Sequence, residues 1–275
     1  MVPFRLVWLA AGCALALMTG AVGVASPAQE ATAPQTPAAG ATCSKTWVGR
    51  EAEFEEYLRT APIARIEEIG TGVTRPKRVE FAAGGLARRA AWKPLKPGMH
   101  QGYWDSYKAE LAAYELDKML GMGMVPPAVE RRVDGELGAI VLWVEDVTAW
   151  KLDKPVQGPD PVAWNRQVVS MKMFDGLIAN IDRNQGNLIY DREYHLVLID
   201  HSRAFTTKKE LVAQPTRYYK ALWEKMAALT AAQLAPLEPI IGKREVAAVL
   251  ARRDRMAKEI QKLEAQKGVA AAYIP

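Results

Sequence analysis

Cysteine and histidine are both scarce in this sequence of 275 residues, which holds two cysteines and three histidines. Cys13 lies in the apolar N-terminal segment and Cys43 in the polar stretch after it, so no internal disulfide can form once that segment is removed. None of His100, His195 and His201 stands at metal-ligand spacing from another histidine or a cysteine. A disulfide framework and a zinc module are therefore excluded, and the fold must be stabilised by its core.

Charge of one sign is not concentrated anywhere, because the net charge of +5 comes from scattered lysines and arginines. The sequence has no basic stripe interleaved with aromatic residues and no nucleic-acid-binding module, so we expect no nucleic acid partner. A serine hydrolase is disfavoured because no G-x-S-x-G motif is present. Apolar residues make up 49% of the chain, enough for one core of single-domain size, and we expect a monomer.

The first 25 residues carry Arg5, then an apolar stretch, and then small residues. This pattern is typical of a secretory signal peptide, whose cleavage would export the chain to a periplasmic, secreted or lumenal space. Two alternatives stay open: the uncleaved stretch could anchor the chain in a membrane, and Cys13 follows a Leu-Ala-Ala-Gly run similar to a lipoprotein processing site. Residues 26–46 are rich in Ala, Pro and Thr and are predicted to be a disordered linker.

Residues 47–147 are predicted to form a small antiparallel sheet with one helix, and residues 148–275 a mainly helical lobe. The predicted strands are residues 63–69, 78–81, 86–93, 129–132, 139–144, 188–190 and 196–199. The predicted helices are residues 104–120, 164–179, 216–228, 230–237 and 243–266. Thr230 and Gln233 have the spacing of a capping box. We therefore expect an α+β fold of two lobes.

Three residues in the second lobe carry the main chemical signal. Asp182 is followed five residues later by Asn187, and Asp200 ends an apolar strand. Phosphoryl transfer needs an aspartate that orients or deprotonates the acceptor hydroxyl, and metal ions held by hard oxygen ligands. Asp182 fits the first role, and Asn187 with Asp200 fits the second with Mg or Mn. Each residue alone is also typical of a turn or strand end, but their joint spacing is that of a kinase catalytic loop and metal-binding aspartate.

The first lobe offers a lysine and a glutamate that such a site requires. Lys93 closes a predicted strand, where it could reach nucleotide phosphates. Glu110, on the following helix, could pair with Lys93 and hold it extended, as the strand lysine and helix glutamate do in protein kinases. Glu115 and Asp117 lie on the same helix and compete for this role.

A glycine pair gives a weaker signal for nucleotide binding. Gly70 and Gly72 could let backbone N–H groups approach phosphates between the first two strands, with Lys77 nearby. The same triplet is typical of a simple turn, and Arg75 stands where the last glycine of a G-x-G-x-x-G motif would fall. The last predicted strand of the lobe lies where adenine would bind, and Trp143 in it is either a nucleotide contact or a core residue.

Several of these motifs together resemble a known group. The run KAELAAYELD at residues 108–117 resembles a helix of the secreted Golgi protein kinases related to Four-jointed. The Asp-Arg pair at Asp182 and the run DHSRAF at residues 200–205 resemble that group's Asp-Arg-His and Asp-Asn-Gly-Arg-Gly-Phe segments. The interval from Asp182 to Asn187 is closer to the type II phosphatidylinositol 4-kinases. The resemblance spans roughly residues 63–205 and indicates this kinase-like superfamily rather than one member.

The resemblance implies a two-lobed fold with ATP and a divalent metal in the cleft. By position, Lys93 would contact phosphates, Glu110 would support it, Asp182 would be the catalytic aspartate, and Asn187 and Asp200 would hold the metal. The implied activity is transfer of the γ-phosphate of ATP to a hydroxyl of a protein, lipid or sugar. Two alternatives on the same fold are a nucleotide-binding pseudokinase or scaffold, and transfer of AMP.

The sequence also departs from the group's pattern. The DFG position reads Asp-His-Ser, Ile181 replaces the histidine before the catalytic aspartate of ordinary protein kinases, and Asn184 stands where the Golgi group has histidine. No Ala-Pro-Glu segment follows Phe205. These departures bear on the substrate class. Outside this superfamily, the alternative is a helical interaction domain, favoured by the amphipathic pattern of residues 243–266.

Overall fold

The computed structural model describes most of the chain after the predicted linker. The described residues are 45–70, 76–151, 153–156 and 158–275. The predicted signal peptide, nearly all of the predicted linker and Gly72 lie outside them. Within these ranges, none of the helices combines the length and the apolar character needed to span a bilayer.

The first lobe is built on a five-stranded antiparallel sheet. In chain order its elements are α1 (Glu51–Thr60), β1 (Ile63–Glu68), β2 (Lys77–Phe81), β3 (Arg89–Lys93), β4 (Gly98–His100), β5 (Tyr103–Asp105), α2 (Tyr107–Leu120), β6 (Ala128–Val133) and β7 (Glu136–Leu142). The strand order in the sheet is β1, β2, β3, β7, β6, while β4 and β5 form a separate hairpin. Strands β3 and β7 therefore each pair with a neighbouring strand on both sides.

The two helices cover opposite faces of this sheet. Phe54 and Leu58 of α1 share a core with Trp92 and Ile140, which point to one face of β3 and β7. Val141, the neighbour of Ile140, shares the core that includes α2 on the other face. Since successive residues of a strand point to opposite faces, Lys93 lies on the α2 side.

The structure corrects two details of this lobe. The helix predicted at residues 104–120 begins at Tyr107, because Tyr103–Asp105 pairs with β4 and the Ser106 hydroxyl accepts from the Lys108 backbone N–H at 3.1 Å to cap the helix. The lobe also contains α1, so the prediction of a single helix was incomplete.

The second lobe is mainly helical. In chain order its elements are β8 (Thr148–Ala149), α3 (Pro161–Ile178), β9 (Leu188–Tyr190), β10 (Leu196–Leu198), β11 (Tyr218–Tyr219), α4 (Lys220–Ala227), α5 (Ala231–Leu234), α6 (Glu238–Ile241), α7 (Lys243–Lys267), α8 (Val269–Ala272) and β12 (Tyr273–Ile274), with short 3₁₀ turns at Gln185–Asn187 and Ala235–Leu237. Strands β8, β9 and β10 form a small sheet, and α3 packs against α7 through side chains such as Phe174 and Met256. The predicted α+β fold with a sheet lobe and a helical lobe is confirmed.

Local signals explain most helix boundaries in this lobe. α3 starts three residues before its predicted start, because Asp160 accepts hydrogen bonds from the next turn and Pro161 follows it. The capping box of Thr230 and Gln233 is confirmed. The helix predicted from residue 216 starts only at Lys220, because Tyr218–Tyr219 pairs in parallel with Tyr273–Ile274 from the far end of the chain.

Candidate active site

Lys93 and Glu110 form a buried ion pair between the sheet and α2. Lys93 is the last residue of β3, and Glu110 lies in the first turn of α2. Lys93 Nζ donates to Glu110 Oε1 at 2.6 Å, and the two residues are 7% and 2% exposed. The competing acidic residues take other partners, since Glu115 accepts from Lys118 and Asp117 accepts from the Met124 backbone.

Opposing effects set the charge of this pair. Burial raises the pKa of Glu110, but Lys93 and His201 more than offset burial, so the pKa lies well below its usual value. Burial lowers the pKa of Lys93, but the carboxylates of Glu110 and Asp200 outweigh it, so this pKa lies above its ordinary value. Both shifts favour the charged forms, and the pair is therefore ionised at neutral pH.

Asp200 lies just after β10, where the chain leaves the small sheet. Its φ of 59° is in the left-handed region, which aspartate tolerates better than most residues. Its Oδ1 accepts from Lys93 Nζ at 2.9 Å and from Ser202 Oγ at 3.2 Å. Lys93 therefore binds one carboxylate from the first lobe, that of Glu110, and one from the second.

Side chains of the loop after α3 hold that loop in shape. Asn180 Oδ1 accepts from the backbone N–H of Asp182 at 3.1 Å. Asn187 Nδ2 donates to the carbonyl of Asp182 at 2.8 Å, and Asn184 Nδ2 donates to its carboxylate at 3.1 Å. These bonds place Asp182 next to Asn187 and leave the carboxylate of Asp182 partly exposed.

Arg183 lies at the centre of this loop with a side chain that is 9% exposed, and no sequence motif had indicated its role. Its guanidinium contacts Asp175 through two bonds of 2.9 and 3.0 Å and donates to the carbonyls of Asn187 and Ile199 at 3.0 and 2.8 Å. Burial lowers the pKa of His201, so its neutral Nε2 can accept from Arg183 Nη2 at 2.9 Å. Arg183 thus ties the loop to the end of β10. A carboxylate among the apolar last turns of α3 was the available sequence signal, since a buried charge needs a partner.

Arg203 is a second side chain whose role no sequence motif had indicated. Its Nη1 donates to Asp182 Oδ2 at 3.1 Å, and its Nε donates to Asp105 Oδ1 at 3.0 Å. Asp105 ends β5 and is fully buried, and Arg203 Cζ lies 4.2 Å from the ring centroid of Tyr103. The β4–β5 hairpin, which the sequence did not predict, therefore reaches the carboxylate of Asp182.

These side chains meet at one cavity of about 570 Å³. Lys93, Asp182, Asn187 and Asp200 all line it, and so does Trp143. Much of the remaining wall is apolar and comes from Ala91, Val141, Leu142, Val144, Val147, Ile189 and Ile199. The cavity therefore has a charged side and an apolar side.

The structure does not place the residues predicted to bind phosphates through the glycine turn among the described residues that line this cavity. Lys77 Nζ pairs with Glu68 at 3.2 Å, and Lys77 is not among the described residues that line the wall. Gly70 has a φ of 71° and is also not among those residues, although its neighbour Ile69 is. Gly72 lies outside the described residues. A nucleotide-binding role for Gly70, Gly72 and Lys77 stays a prediction.

Two oxygen atoms at the charged side are available as metal ligands. Because Asn187 Nδ2 donates to Asp182, the Oδ1 atom is the polar atom of this side chain that remains for a cation. Asp200 Oδ1 is occupied by Lys93 and Ser202, whereas its Oδ2 has no hydrogen bond within the described part of the chain. A carboxylate oxygen and an amide oxygen are the hard ligands that suit Mg or Mn.

A second group of ligand-type side chains lies on the turn between β9 and β10. One ligand atom from each of Asp191, Glu193 and His195 lies within 4.8 Å of the others. Asp191 Oδ1 accepts from the backbone N–H groups of Glu193 and His195, and its Oδ2 lies 2.9 Å from His195 Nδ1. These hydrogen bonds within the turn explain why the three side chains lie close together.

The fold and the cavity together define a class of protein. A small antiparallel sheet lobe that carries a lysine–glutamate pair, followed by a helical lobe that carries an aspartate–asparagine loop, has the architecture of a two-lobed kinase-like fold.

Two solved structures have a similar fold. The Golgi casein kinase with Mn/ADP bound matches with a TM-score of 0.60 and 15% sequence identity, over 82% of this chain and 80% of that chain. Fam20 of hydra, solved with sugar, matches with a TM-score of 0.62 and 16% identity, over 81% of this chain and 91% of that chain. No protein-family model and no curated protein matches the sequence. The predicted two-lobed, kinase-like fold is therefore confirmed.

Proposed function

We propose that this chain is a metal-dependent phosphotransferase that moves the γ-phosphate of ATP to a hydroxyl group of a protein, lipid or sugar. The observation that carries the proposal is that Lys93, Asp182, Asn187 and Asp200 line one cavity in a kinase-like fold. Lys93 belongs to the first lobe and is distant in sequence from the other three residues, which belong to the second lobe. If each residue served only its own turn or strand end, the four side chains would not need to line the same cavity.

Asp182 is proposed to bind the acceptor hydroxyl. An ionised carboxylate in this position orients the hydroxyl and accepts its proton as the oxygen attacks phosphorus. Asn184 Nδ2 and Arg203 Nη1 each donate to one oxygen of Asp182 at 3.1 Å. Because each carboxylate oxygen can accept more than one hydrogen bond, these donors orient the group and leave acceptor sites for the substrate.

The charged side of the cavity is proposed to bind the phosphates and the apolar side the adenine. Asn187 and Asp200 would hold Mg or Mn, which neutralises phosphate charge when bound. Lys93, kept extended by Glu110, would contact the phosphates, and Trp143 would contact the base. The Golgi casein kinase, which shares the fold, was solved with Mn and ADP, and this supports a nucleotide and a metal in the same cleft.

We propose that the chain acts outside the cytoplasm after residues 1–25 are cleaved, with a membrane anchor formed by the uncleaved segment as the alternative. A related fold in a protein named for the Golgi is consistent with export. Phosphoryl transfer outside the cytoplasm requires a supply of ATP there, and this requirement is the main argument against kinase activity. A useful experiment must therefore separate phosphoryl transfer from nucleotide binding alone.

The test uses the exported chain after purification, with ATP, Mn or Mg, and acceptors from the three classes of protein, lipid and sugar. Mass spectrometry of the acceptor identifies the transferred group, and ADP release gives the rate. Asp182→Asn should lower the rate by about 10²-fold or more while ADP still binds, because only proton transfer and orientation are lost. Asp200→Ala should also weaken the metal dependence of ADP binding. Asp254→Asn, on an exposed face of α7, is the matched control.

Equal rates in the wild type, Asp182→Asn and Asp200→Ala would contradict the proposal. Binding of Mn-ADP with no transfer to any acceptor would favour a pseudokinase or scaffold. A mass increase of AMP on the acceptor would show nucleotidyl transfer instead.

A further inference from the structure

The acceptor side of the cavity holds a guanidinium whose donors are only partly used. Arg203 lines the cavity with a side chain that is 12% exposed. Its Nε bonds to Asp105 and its Nη1 to Asp182, and no other hydrogen bond of this side chain occurs among the described residues. A guanidinium has five N–H donors, so several remain for a ligand.

Few cationic side chains border this cavity, and Arg203 is one of them. Among the lining residues that the structure describes, the cationic ones are Lys93 and Arg203. Lys93 is already paired with two carboxylates. Arg183 is adjacent to Asp182 in sequence, but its guanidinium is buried on Asp175 and on backbone carbonyls. Arg203 is therefore the cation that directly contacts Asp182 at the cavity wall.

The side chain of Arg203 is also held rigidly. Asp105 is fully buried, and its Oδ1 accepts from Arg203 Nε and lies 3.4 Å from Ser202 Oγ. A buried carboxylate is strongly unfavourable unless a cation pairs with it, so Asp105 and Arg203 stabilise each other in this position. The ring of Tyr103 lies against the guanidinium and restricts its plane.

We propose that Arg203 is a catalytic residue that binds the equatorial oxygens of the phosphoryl group during its transfer to the acceptor. The inference rests on the proposed function and adds to that site a residue to which the sequence motifs assign no role. In the transition state, negative charge spreads over three equatorial oxygens between the attacking and leaving atoms. A planar fork of N–H donors matches this arrangement better than a lysine ammonium does.

The transfer step conserves atoms and charge. The acceptor hydroxyl gives its proton to the carboxylate of Asp182, and its oxygen forms a bond to the γ-phosphorus. The bond from that phosphorus to the bridging oxygen breaks, and ADP leaves with the electron pair. Arg203 donates hydrogen bonds in this step and forms or breaks no covalent bond. Its contact with Asp182 places it on the acceptor side of the transferred group, opposite the leaving ADP.

The experiment measures binding of Mn-ADP to the full purified chain by calorimetry, with and without aluminium fluoride as a mimic of the transferred phosphoryl group. The wild type should bind ADP about tenfold or more tightly when aluminium fluoride is present. Arg203→Met should lose most of this increase, and its affinity for Mn-ADP alone should change by less than about twofold, because Arg203 is proposed to contact the transferred group rather than ADP.

Two further variants separate catalysis from folding. Arg203→Lys keeps the charge but loses the fork, so it should keep only part of the increase. If Arg203→Met does not fold, the comparison of Arg203→Lys with the wild type tests the proposal instead. Arg192→Met removes an exposed arginine from the turn after β9 and should match the wild type. Turnover adds a second readout, in which Arg203→Lys lowers kcat about tenfold or more with little change in KM for ATP.

An equal increase in wild type and Arg203→Met would overturn the inference, and so would wild-type chain that binds Mn-ADP with no increase at all. A wild-type chain that binds no Mn-ADP would contradict the proposed function itself, and this inference with it. Full wild-type behaviour of Arg203→Lys would show that charge alone suffices and would overturn the proposed role of the fork.

Discussion

Replacing Lys93 with methionine should leave a buried carboxylate without its cation and destabilise the folded chain. Glu110 is 2% exposed, and among the described residues its other hydrogen-bond donor is the backbone N–H of His201, 3.1 Å from each oxygen. Removing one partner from a buried ion pair typically costs about 3–5 kcal/mol. We expect about 3 kcal/mol at pH 8, because the His201 N–H remains and methionine fills most of the aliphatic volume of Lys93.

A double-mutant cycle separates the interaction energy between Lys93 and Glu110 from the other effects of each substitution on the free energy of unfolding. Glu110→Gln should cost less, about 1–2 kcal/mol, because Lys93 keeps Asp200 as a partner at 2.9 Å. The double variant Lys93→Met with Glu110→Gln should cost clearly less than the sum of the single variants, with a coupling of about 1–2 kcal/mol, since no buried charge is left unpaired. Free energies of unfolding come from urea titrations followed by tryptophan fluorescence.

The pH dependence provides an independent check with a defined sign. The folded-state pKa of Glu110 lies below its ordinary value of 4.5, so its contribution to stability is present above pH 4.5 and is lost as the pH falls below it. In Lys93→Met, burial without the cation should raise the pKa of Glu110 and allow it to bind a proton. The difference in stability between wild type and Lys93→Met should therefore narrow as the pH falls from 8 towards 4.

The control is Lys118→Met, which removes a partly exposed lysine from the same helix. Its pairs with Glu55 and Glu115 are partly solvated, so the expected loss is within about 1 kcal/mol. The reasoning about a buried pair would be refuted if Lys93→Met cost no more than Lys118→Met at pH 8. A loss that is independent of pH would also contradict it.

Two further predictions concern arginines of the second lobe whose guanidinium groups hold neighbouring segments together. Arg252 is fully buried and donates to backbone carbonyls that include those of Thr206 and Lys208, so Arg252→Met should destabilise the chain by about 2 kcal/mol or more. Limited trypsin digestion should then cut faster after Lys208, and unchanged cutting would contradict this. Arg183→Lys should cost about 2 kcal/mol in urea unfolding, because lysine cannot reproduce the two-bond contact with Asp175. A loss under about 0.5 kcal/mol would show that this contact is not needed.

Much of the fold was predictable because its signals are local. The hairpin of β6 and β7 follows from Asp134-Gly135, where both residues adopt positive φ as a tight hairpin turn requires. α1 was missed although Phe54 and Leu58 have helical spacing, and it has no side-chain cap to mark its start. The β4–β5 hairpin carried little signal, because each strand has three residues.

The candidate site was predictable only in part, and the two arginines show why. Arg183 and Arg203 each follow closely after an acidic residue of the proposed site, and nothing in that local pattern distinguishes them. Arg183 is buried because Asp175 of α3 lies beside it, whereas Arg203 reaches the cavity because Asp105 holds its Nε. Both partners are distant along the chain or on another element, so spacing could not reveal them.

Most of the helices and strands, and the residue types of the candidate site, could be predicted from local sequence patterns. Strand and helix periodicity reflects burial of one face, and the interval from Asp182 to Asn187 is set within one loop. The folded chain was needed to show that Lys93 contacts both Glu110 and Asp200, and that the loop and the sheet border one cavity. Such contacts depend on how two lobes pack, and packing is a property of the whole core rather than of any local segment.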